Sequence, residues 1–283
     1  MRYYIVDAFT SEAFGGNPAG VVLLGKDAEF PSDELMRKVA AEFRYSETAF
    51  VQQNGPAEFT VRYFTPASEV DLCGHATIAT FGVLFHEGIV GDGFSCLNHT
   101  LAGDLKVNAG SQVMMQMATP RLVDKAVDTD RLYRIMGGAP ASRPALGVEI
   151  ISTGLPDIIM PVNTVDELNA LRPDMDALAQ LSRELDVVGV HAVALTADDG
   201  FTGHVRNFGP LYGVPEESAT GTANAALTHY LSRQGIIKSP SDCRFLQGEA
   251  MNRPSVVATS LLEDGSIWVG GSSCIIAMGE LLV

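Results

Sequence analysis

Val61-Arg62-Tyr63-Phe64-Thr65-Pro66 recurs with few changes as Val205-Arg206-Asn207-Phe208-Gly209-Pro210, 144 residues downstream (205 − 61). A second match follows each copy, since Gly74-His75-Ala76 corresponds to Gly221-Thr222-Ala223 at an offset of 147 residues (221 − 74). A repeating unit of this length is too long for a solenoid. The duplication therefore predicts two similarly folded halves within one chain.

Two landmarks upstream of these matches keep the same order. Gly16-Asn17-Pro18 matches Gly154-Leu155-Pro156 at an offset of 138 (154 − 16), and Pro31 matches Pro173 at an offset of 142 (173 − 31). Because the offset changes only by small insertions, chance does not explain the series. We expect a pseudo-twofold relation between the halves and a binding site in the cleft between them, where ligand pockets often form.

The hydrophobic pattern predicts a similar series of elements in each half. Ser32 is expected to cap an amphipathic helix in the first half, and the equivalent helix of the second half is expected near residues 174–185. The helices predicted at 75–87 and 222–233 are rich in apolar residues, and the first is apolar on nearly every side, as in helices that are buried all round. Short strands are expected around them at 3–8, 19–24, 47–51, 58–64 and 113–117, then at 148–152, 158–162, 192–195 and 203–207. With one central helix in each half, the predicted fold class is α+β.

The join between the halves is expected near Ala118-Thr119-Pro120, where a strand-like apolar stretch gives way to polar residues. The first half then spans 1–118, and we expect the C-terminal tail to complete it. The second half spans 119–283. No low-complexity linker separates the two.

Composition excludes some classes of function. A formal net charge of −15 over 283 residues argues against binding to nucleic acid, whose phosphates would be repelled. No stretch approaches the roughly 20 apolar residues of a membrane span or resembles a secretory leader. The four cysteines show no C-x-x-C spacing, so neither a metal site nor a redox dithiol is predicted, and we expect a cytoplasmic protein with reduced thiols.

Two glycine-bearing turns immediately precede the two central helices. Gly74 and His75 begin the first helix, and Gly221 and Thr222 begin the second. A helix N-terminus presents unpaired N–H groups and a partial positive charge, so the two starts together predict a site for a small carboxylate. The alternative is that the glycines serve only tight turns and that Ser and Thr hydroxyls cap the helices.

Glu47 lies at the mouth of the apolar strand predicted at 47–51. A carboxylate that is partly shielded there would suit a general base, although many acidic residues at strand entries are only solvated edge charges. At the 144-residue offset its counterpart is His191, but the neighbouring residues support that pairing weakly. An ordinary strand histidine is the simpler interpretation of His191.

Five segments together resemble the PhzF-like proteins of phenazine biosynthesis: Asp7–Thr10, Gly16–Ala19, Ser46–Phe50, Arg62–Pro66 and Cys73–Thr77. Glu216–Thr222 resembles the second signature of that family. The resemblance covers nearly the whole chain. It implies the diaminopimelate epimerase-like fold, in which two pseudo-symmetric halves each roll a mostly antiparallel sheet around a central helix, and it implies a homodimer.

By the same resemblance, the acid/base glutamate of the family falls on Glu47, and its Gly-His pair falls on Gly74 and His75. The family's usual Glu-Asp-Pro-Ala-Thr-Gly-Ser reads Glu-Glu-Ser-Ala-Thr-Gly-Thr here, over Glu216–Thr222. Glu217 therefore replaces an aspartate, and its extra methylene moves the carboxylate by about a bond length, which alters substrate geometry.

We therefore expect a cofactor-independent isomerase of a small, cyclic or unsaturated carboxylic acid. Glu47 would remove and return a proton, while His75, Glu217 and the helix N–H groups would orient the substrate. One alternative is a catalytically idle ligand-binding or scaffold protein of the same fold. The other is a cysteine racemase, with Cys73 as one base; Thr220 at the mirror position argues against it, because a threonine cannot act as a thiolate.

Overall fold

The computed structural model describes residues 1–25, 28–138, 144–196 and 199–283. The chain separates into two compact units. The N-terminal unit comprises Met1–Gln116 together with Gly270–Val283, and the C-terminal unit comprises Met117–Val269.

Six α-helices are present in the described part of the chain. They are α1 (Asp33–Phe43), α2 (Gly74–His86), α3 (Thr129–Ile135), α4 (Val165–Ala170), α5 (Met175–Leu185) and α6 (Gly221–Arg233). None of them is long and apolar enough to cross a membrane, and this holds for the described residues only.

The strands are short and run through both units. From the N-terminus to residue 116 they are β1 (Arg2–Ala8), β2 (Asn17–Leu23), β3 (Thr48–Gln53), β4 (Glu58–Phe64), β5 (Glu69–Val70), β6 (Phe94–Thr100), β7 (Gly103–Ala109) and β8 (Val113–Gln116). The remaining strands are β9 (Arg121–Leu122), β10 (Glu149–Ser152), β11 (Pro156–Val162), β12 (Val190–Leu195), β13 (Gly203–Gly209), β14 (Val214–Glu217), β15 (Ser241–Gln247), β16 (Ser255–Leu261), β17 (Ile267–Gly271) and β18 (Ser273–Glu280).

The sheet of the N-terminal unit is mostly antiparallel. β1 lies between β18 and β2 and is antiparallel to both. Parallel pairings join β2 to β3 and β4 to β6, while β3–β4, β4–β5, β6–β7 and β7–β8 are antiparallel. Parallel neighbours need a crossover. Helix α1 provides it between β2 and β3, and α2 lies in the connection from β4 to β6.

The C-terminal unit repeats this order of pairings. β10 is antiparallel to β9 and β11, and β11 is parallel to β12. β12–β13 and β13–β14 are antiparallel, β13–β15 is parallel and β15–β16 is antiparallel. Helices α4 and α5 cross from β11 to β12, and α6 lies in the crossover from β13 to β15. The predicted α+β class with two similar halves is confirmed.

One helix in each unit is enclosed by strands. Helix α2 packs against β1, β2, β3, β7, β8 and β18, and every residue from His75 to Leu84 is buried. Helix α6 packs against β10, β11, β12 and β16. Its apolar side chains join those of the surrounding strands in one core cluster: Ala226, Leu227, Tyr230, Leu231, Ile151, Ile159, Val193, Val205, Cys243 and Phe245. The prediction of two equivalent buried helices is confirmed.

Local signals set the limits of the flanking helices. Ser32 caps α1 by accepting a hydrogen bond from the Leu35 N–H, as predicted, and Arg44 ends the helix in the left-handed conformation. Asp174 caps α5 by accepting from the Ala177 N–H. The structure adds helices α3 and α4, which the sequence pattern did not predict. Both are short, at 7 and 6 residues, so each offers too few turns for a clear periodicity.

Candidate functional site

Glu47, Cys73 and His75 come together in the N-terminal unit. Glu47 immediately precedes β3, Cys73 is the N-cap residue of α2 and His75 is in its first turn. Helix α2 packs on β3, which brings side chains that are far apart in the sequence next to each other. The side chains of Glu47 and His75 are 19% and 5% exposed, and Cys73 is buried. The carboxylate is therefore shielded but still reachable from solvent.

The atoms of this group are within hydrogen-bonding range of one another. The Cys73 thiol donates to Glu47 Oε2 at 3.5 Å and lies 3.4 Å from His75 Nδ1. His75 Nε2 lies 3.3 Å from Glu47 Oε2 and 3.3 Å from Ser46 Oγ. These contacts orient the Glu47 carboxylate.

Gly74 sits at the start of α2, between Cys73 and His75. A Cβ at this position would lie 3.1 Å from Met115 Cε, the end of a flexible side chain on β8, which would have to move by a few tenths of an ångström. Cys73 accepts no capping hydrogen bond from its own helix, which leaves the first turn of α2 without the usual side-chain cap.

The second predicted group, Glu217, Gly221 and Thr222, lies at the start of α6 in the C-terminal unit. Thr220 is the N-cap residue, but its hydroxyl donates to Glu217 Oε2 at 2.6 Å instead of capping the helix. The Thr222 carbonyl accepts from Thr153 Oγ1 at 2.9 Å. The alternative in which Ser and Thr hydroxyls cap the two central helices is therefore wrong for both N-cap positions.

Gln247 on β15 organises the start of α6 and was missed from the sequence. Its Oε1 accepts from the Thr220 N–H at 3.1 Å and from Asn224 Nδ2 at 2.9 Å, and its Nε2 donates to the Glu217 carbonyl at 2.8 Å. The side chain is fully buried. An isolated glutamine on an alternating strand carries no signal that would reveal this role.

A second polar residue of the C-terminal unit, the buried Asp157, was also not identified from the sequence. Asp157 on β11 is 1% exposed, and its Oδ1 has no hydrogen-bond partner among the described residues. Burial raises the pKa of Asp157 to about 7, and the charge of Glu217 adds to the effect while a hydrogen bond from Asn207 opposes it. Asn207 also lies 3.2 Å from His191 Nδ1. The position of Asp157 directly before the apolar residues 158–160 was the sequence feature that could have indicated a buried carboxyl.

The strand register identifies the counterpart of Glu47. In the N-terminal unit the Gly20 N–H donates to the Glu47 carbonyl, and in the C-terminal unit the Ile158 N–H donates to the Gly189 carbonyl. Gly20 and Ile158 hold equivalent places in the two parallel pairings. The counterpart of Glu47 is thus Gly189, two residues before His191, which agrees with the weak support for the His191 pairing in the sequence.

Gly189 excludes any side chain at the position that mirrors Glu47. A Cβ there would overlap the carbonyl oxygen of Phe208. His191 is instead a fully buried residue of β12, and burial lowers its pKa to about 4. The described C-terminal unit therefore has no carboxylate at the position equivalent to Glu47, and with Thr220 at the start of α6 it has no cysteine equivalent to Cys73.

Known proteins resemble the chain over its full length. An uncharacterized isomerase of Deinococcus radiodurans is 33% identical over 290 aligned positions, which cover 97% of this chain and 92% of the relative. The crystal structure of a Bacillus anthracis phenazine biosynthesis protein of the PhzF family matches with a TM-score of 0.89 at 27% identity, covering 100% of this chain and 99% of that one. A predicted epimerase of Pseudomonas aeruginosa matches with a TM-score of 0.83 at 25% identity and covers 100% and 99% of the two chains.

These likenesses agree with the isomerase class expected from the sequence, and that prediction is confirmed at this level. A family model described as phenazine biosynthesis-like protein matches residues 6–279. The match contains Glu47, the start of α2 and the start of α6, and it includes the departures at Glu217 and Ser218. The chain is therefore a member of the phenazine biosynthesis-like (PhzC-PhzF) protein family.

Proposed function

We propose that the protein is a cofactor-independent isomerase that moves a proton within a small cyclic or unsaturated carboxylic acid, with Glu47 as the base that removes and returns the proton. The observation that carries the proposal is the position of the Glu47 carboxylate, shielded, reachable and 3.3 Å from His75 Nε2 at the start of α2. A general base must stand within hydrogen-bonding reach of the group it serves.

The asymmetry between the two units supports a mechanism with a single base. Gly189 stands where a second carboxylate would be, and Thr220 stands where a second cysteine would be. A racemase that uses two bases needs one on each face of the substrate carbon. A single carboxylate can instead deprotonate and reprotonate one face of the substrate, which gives a shift of a double bond or of a proton along the same face.

The start of α2 and the start of α6 are each proposed to bind an anionic group, because helix N-termini attract negative charge. The donors we assign are the N–H groups of Gly74 and His75 in the N-terminal unit and those of Gly221 and Thr222 in the C-terminal unit. Glu217 is proposed to contact a polar group of the substrate. In a chain with a net charge of −15, these local dipoles offset the unfavourable field that a carboxylate would meet.

The test is solvent deuterium exchange into a panel of small cyclic and unsaturated carboxylic acids, followed by mass spectrometry. Glu47→Gln keeps the size of the side chain and removes the base, so exchange should fall by about 10² to 10⁴. Glu42→Gln, at an exposed position of α1 in the same unit, is the matched control and should retain parental exchange.

Unchanged exchange in Glu47→Gln would remove this residue from the mechanism. If the parent protein binds acids of the panel but exchanges none of them, the binding or scaffold alternative is favoured instead. We also propose that the enzyme is a cytoplasmic homodimer, and sedimentation velocity of the purified protein tests the dimer.

A further inference from the structure

Three side chains of different donor chemistry meet around one point in the N-terminal unit. Cys73 Sγ lies 3.5 Å from Glu47 Oε2 and 3.8 Å from His75 Nε2, and Glu47 Oε2 lies 3.3 Å from His75 Nε2. One sulfur, one nitrogen and one oxygen thus form a nearly equilateral triangle, and one ligand atom from each of the three residues lies within 4.8 Å of the others.

The triangle has the dimensions of one face of a tetrahedral zinc site. Zinc lies about 2.3 Å from a sulfur ligand and about 2.0 to 2.1 Å from a nitrogen or oxygen ligand. At tetrahedral angles these bond lengths place neighbouring ligand atoms about 3.3 to 3.6 Å apart. The three observed separations run from 3.3 to 3.8 Å. Cys73 Sγ lies closer to His75 Nδ1 (3.4 Å) than to Nε2 (3.8 Å), so the imidazole has to turn before all three donors meet on one ion.

The donors also suit a thiophilic divalent cation better than a hard one. Thiolate and imidazole ligands favour zinc and related transition metals, whereas Mg²⁺ and Ca²⁺ take oxygen ligands. Cys73 and His75 are buried, while the Glu47 side chain keeps 19% of its surface exposed, which provides an entry route. Three protein ligands leave the fourth position of a tetrahedral ion open to water.

We infer that Glu47, Cys73 and His75 form a binding site for one thiophilic divalent cation, which occupies the general base and inhibits the enzyme. Binding replaces the proton of the Cys73 thiol by a metal–sulfur bond, and the proton leaves to solvent without any change of oxidation state. The binding itself rests on the geometry of the three side chains. Only the inhibition rests on the proposed function.

Binding is tested with the metal alone. Co²⁺ bound by a cysteine thiolate gives a sulfur-to-metal charge-transfer absorption, and Zn²⁺ displaces it in competition. We expect one ion per chain with this absorption in the parent protein. Cys73→Ser should abolish the absorption and lower the Zn²⁺ affinity by at least about tenfold. Even the loss of a residue that only hydrogen-bonds to a metal ligand lowers metal affinity by about 10- to 100-fold.

The matched control is Cys274→Ser, because Cys274 is the free cysteine of β18 that is only half-buried. It should leave both the absorption and the affinity unchanged. His204, which contacts Asp199 and Glu249, is another place where a cation could bind. That cluster contains no sulfur, so binding there gives no thiolate absorption.

Co²⁺ binding without a thiolate absorption in the parent protein, or no binding at all, would overturn the inference, as would undiminished Zn²⁺ affinity in a folded Cys73→Ser variant. If that variant fails to fold, the parent spectrum decides by itself. Inhibition is measured separately, as the loss of deuterium exchange at saturating Zn²⁺. Binding at Cys73 in a protein that exchanges no acid would retain the metal site and reject the proposed function.

Discussion

At the scale of the residue, Asp157 shows how the interior changes the chemistry of one side chain. The carboxyl is buried on β11 with one oxygen lacking a partner among the described residues, and its pKa is raised to about 7 by burial and then by Glu217. An aspartate in an unfolded chain has a pKa of about 3.9. The folded protein therefore binds this proton more tightly than the unfolded chain does. The resulting stabilisation is complete below about pH 4 and is lost as the pH rises to about 7.

Asp157→Asn should remove this pH dependence. As the pH rises from about 4 to about 7, the free energy of unfolding of the variant should increase relative to that of the parent by up to about 1.4 kcal/mol per pH unit. Above about pH 7 the difference between the two proteins should stay constant. Chemical denaturation of both proteins at several pH values within this window measures it. Asp124→Asn, at an exposed position, controls for the loss of one negative charge. A difference between Asp157→Asn and its parent that does not vary with pH would contradict the assignment.

At the scale of the element, helix α2 illustrates what burial on all sides requires. The helix touches strands on several sides, and at one of them its backbone approaches β18 closely. Gly82 allows this approach, since a Cβ at this position would overlap Ser273 Oγ and lie 3.0 Å from Ser273 Cβ. Serine is a short side chain with little room to withdraw. The glycine is therefore kept by packing, although glycine is a weak helix former.

Gly82→Ala should destabilise the protein by about 1 to 3 kcal/mol, the usual cost of adding a methyl group to a filled core. This loss would outweigh the gain of up to about 1 kcal/mol in helix propensity. Denaturant midpoints of the variant and the parent measure the change. Gly91→Ala is the control, because a Cβ there would meet nothing within 4 Å. Equal midpoints for the two variants would show that α2 and β18 can separate at little cost.

At the scale of the whole molecule, the path of the chain divides the N-terminal unit between the two ends of the sequence. Strand β18 returns to pair with β1 over its full length, and Gly270–Val283 belongs to the same unit as Met1–Gln116. The C-terminal unit is continuous, from Met117 to Val269. The N-terminal unit therefore cannot complete its sheet until the last residues of the chain are present.

Deleting residues 272–283 should unfold or loosen the N-terminal unit, because β1 loses the antiparallel partner on one edge and α2 loses a packing surface. Hydrogen exchange followed by mass spectrometry should show lost protection in β1 and β2, with protection retained in β11 and β12. Deletion of Leu282 and Val283 alone is the control, since these residues are 92% and 71% exposed. Retained protection of β1 after deletion of residues 272–283 would show that the N-terminal unit does not need β18 to form a stable sheet.

Much of the fold could be predicted from local signals in the sequence. The repeat of Val61–Pro66 at Val205–Pro210 marks β4 and β13, which have the same pairings in their units. Ser32 caps its helix as predicted. The glycines that begin the two central helices, Gly74 and Gly221, were also visible from the sequence. Such features depend on a few neighbouring residues, so the sequence reports them directly.

The candidate site was predicted only in part, and the rest required the tertiary structure. Glu47 and His75 were identified by resemblance, but the contact of Cys73 with both arises because α2 packs on β3. Gly189 became the counterpart of Glu47 only through the strand register. The sequence determined the duplication, the central helices and the residues available for chemistry, because these follow from periodicity and local conformation. The tertiary structure decided which side chains meet, and it decided that the carboxyl of Asp157 is buried away from water. Contact and burial depend on residues that are distant in sequence.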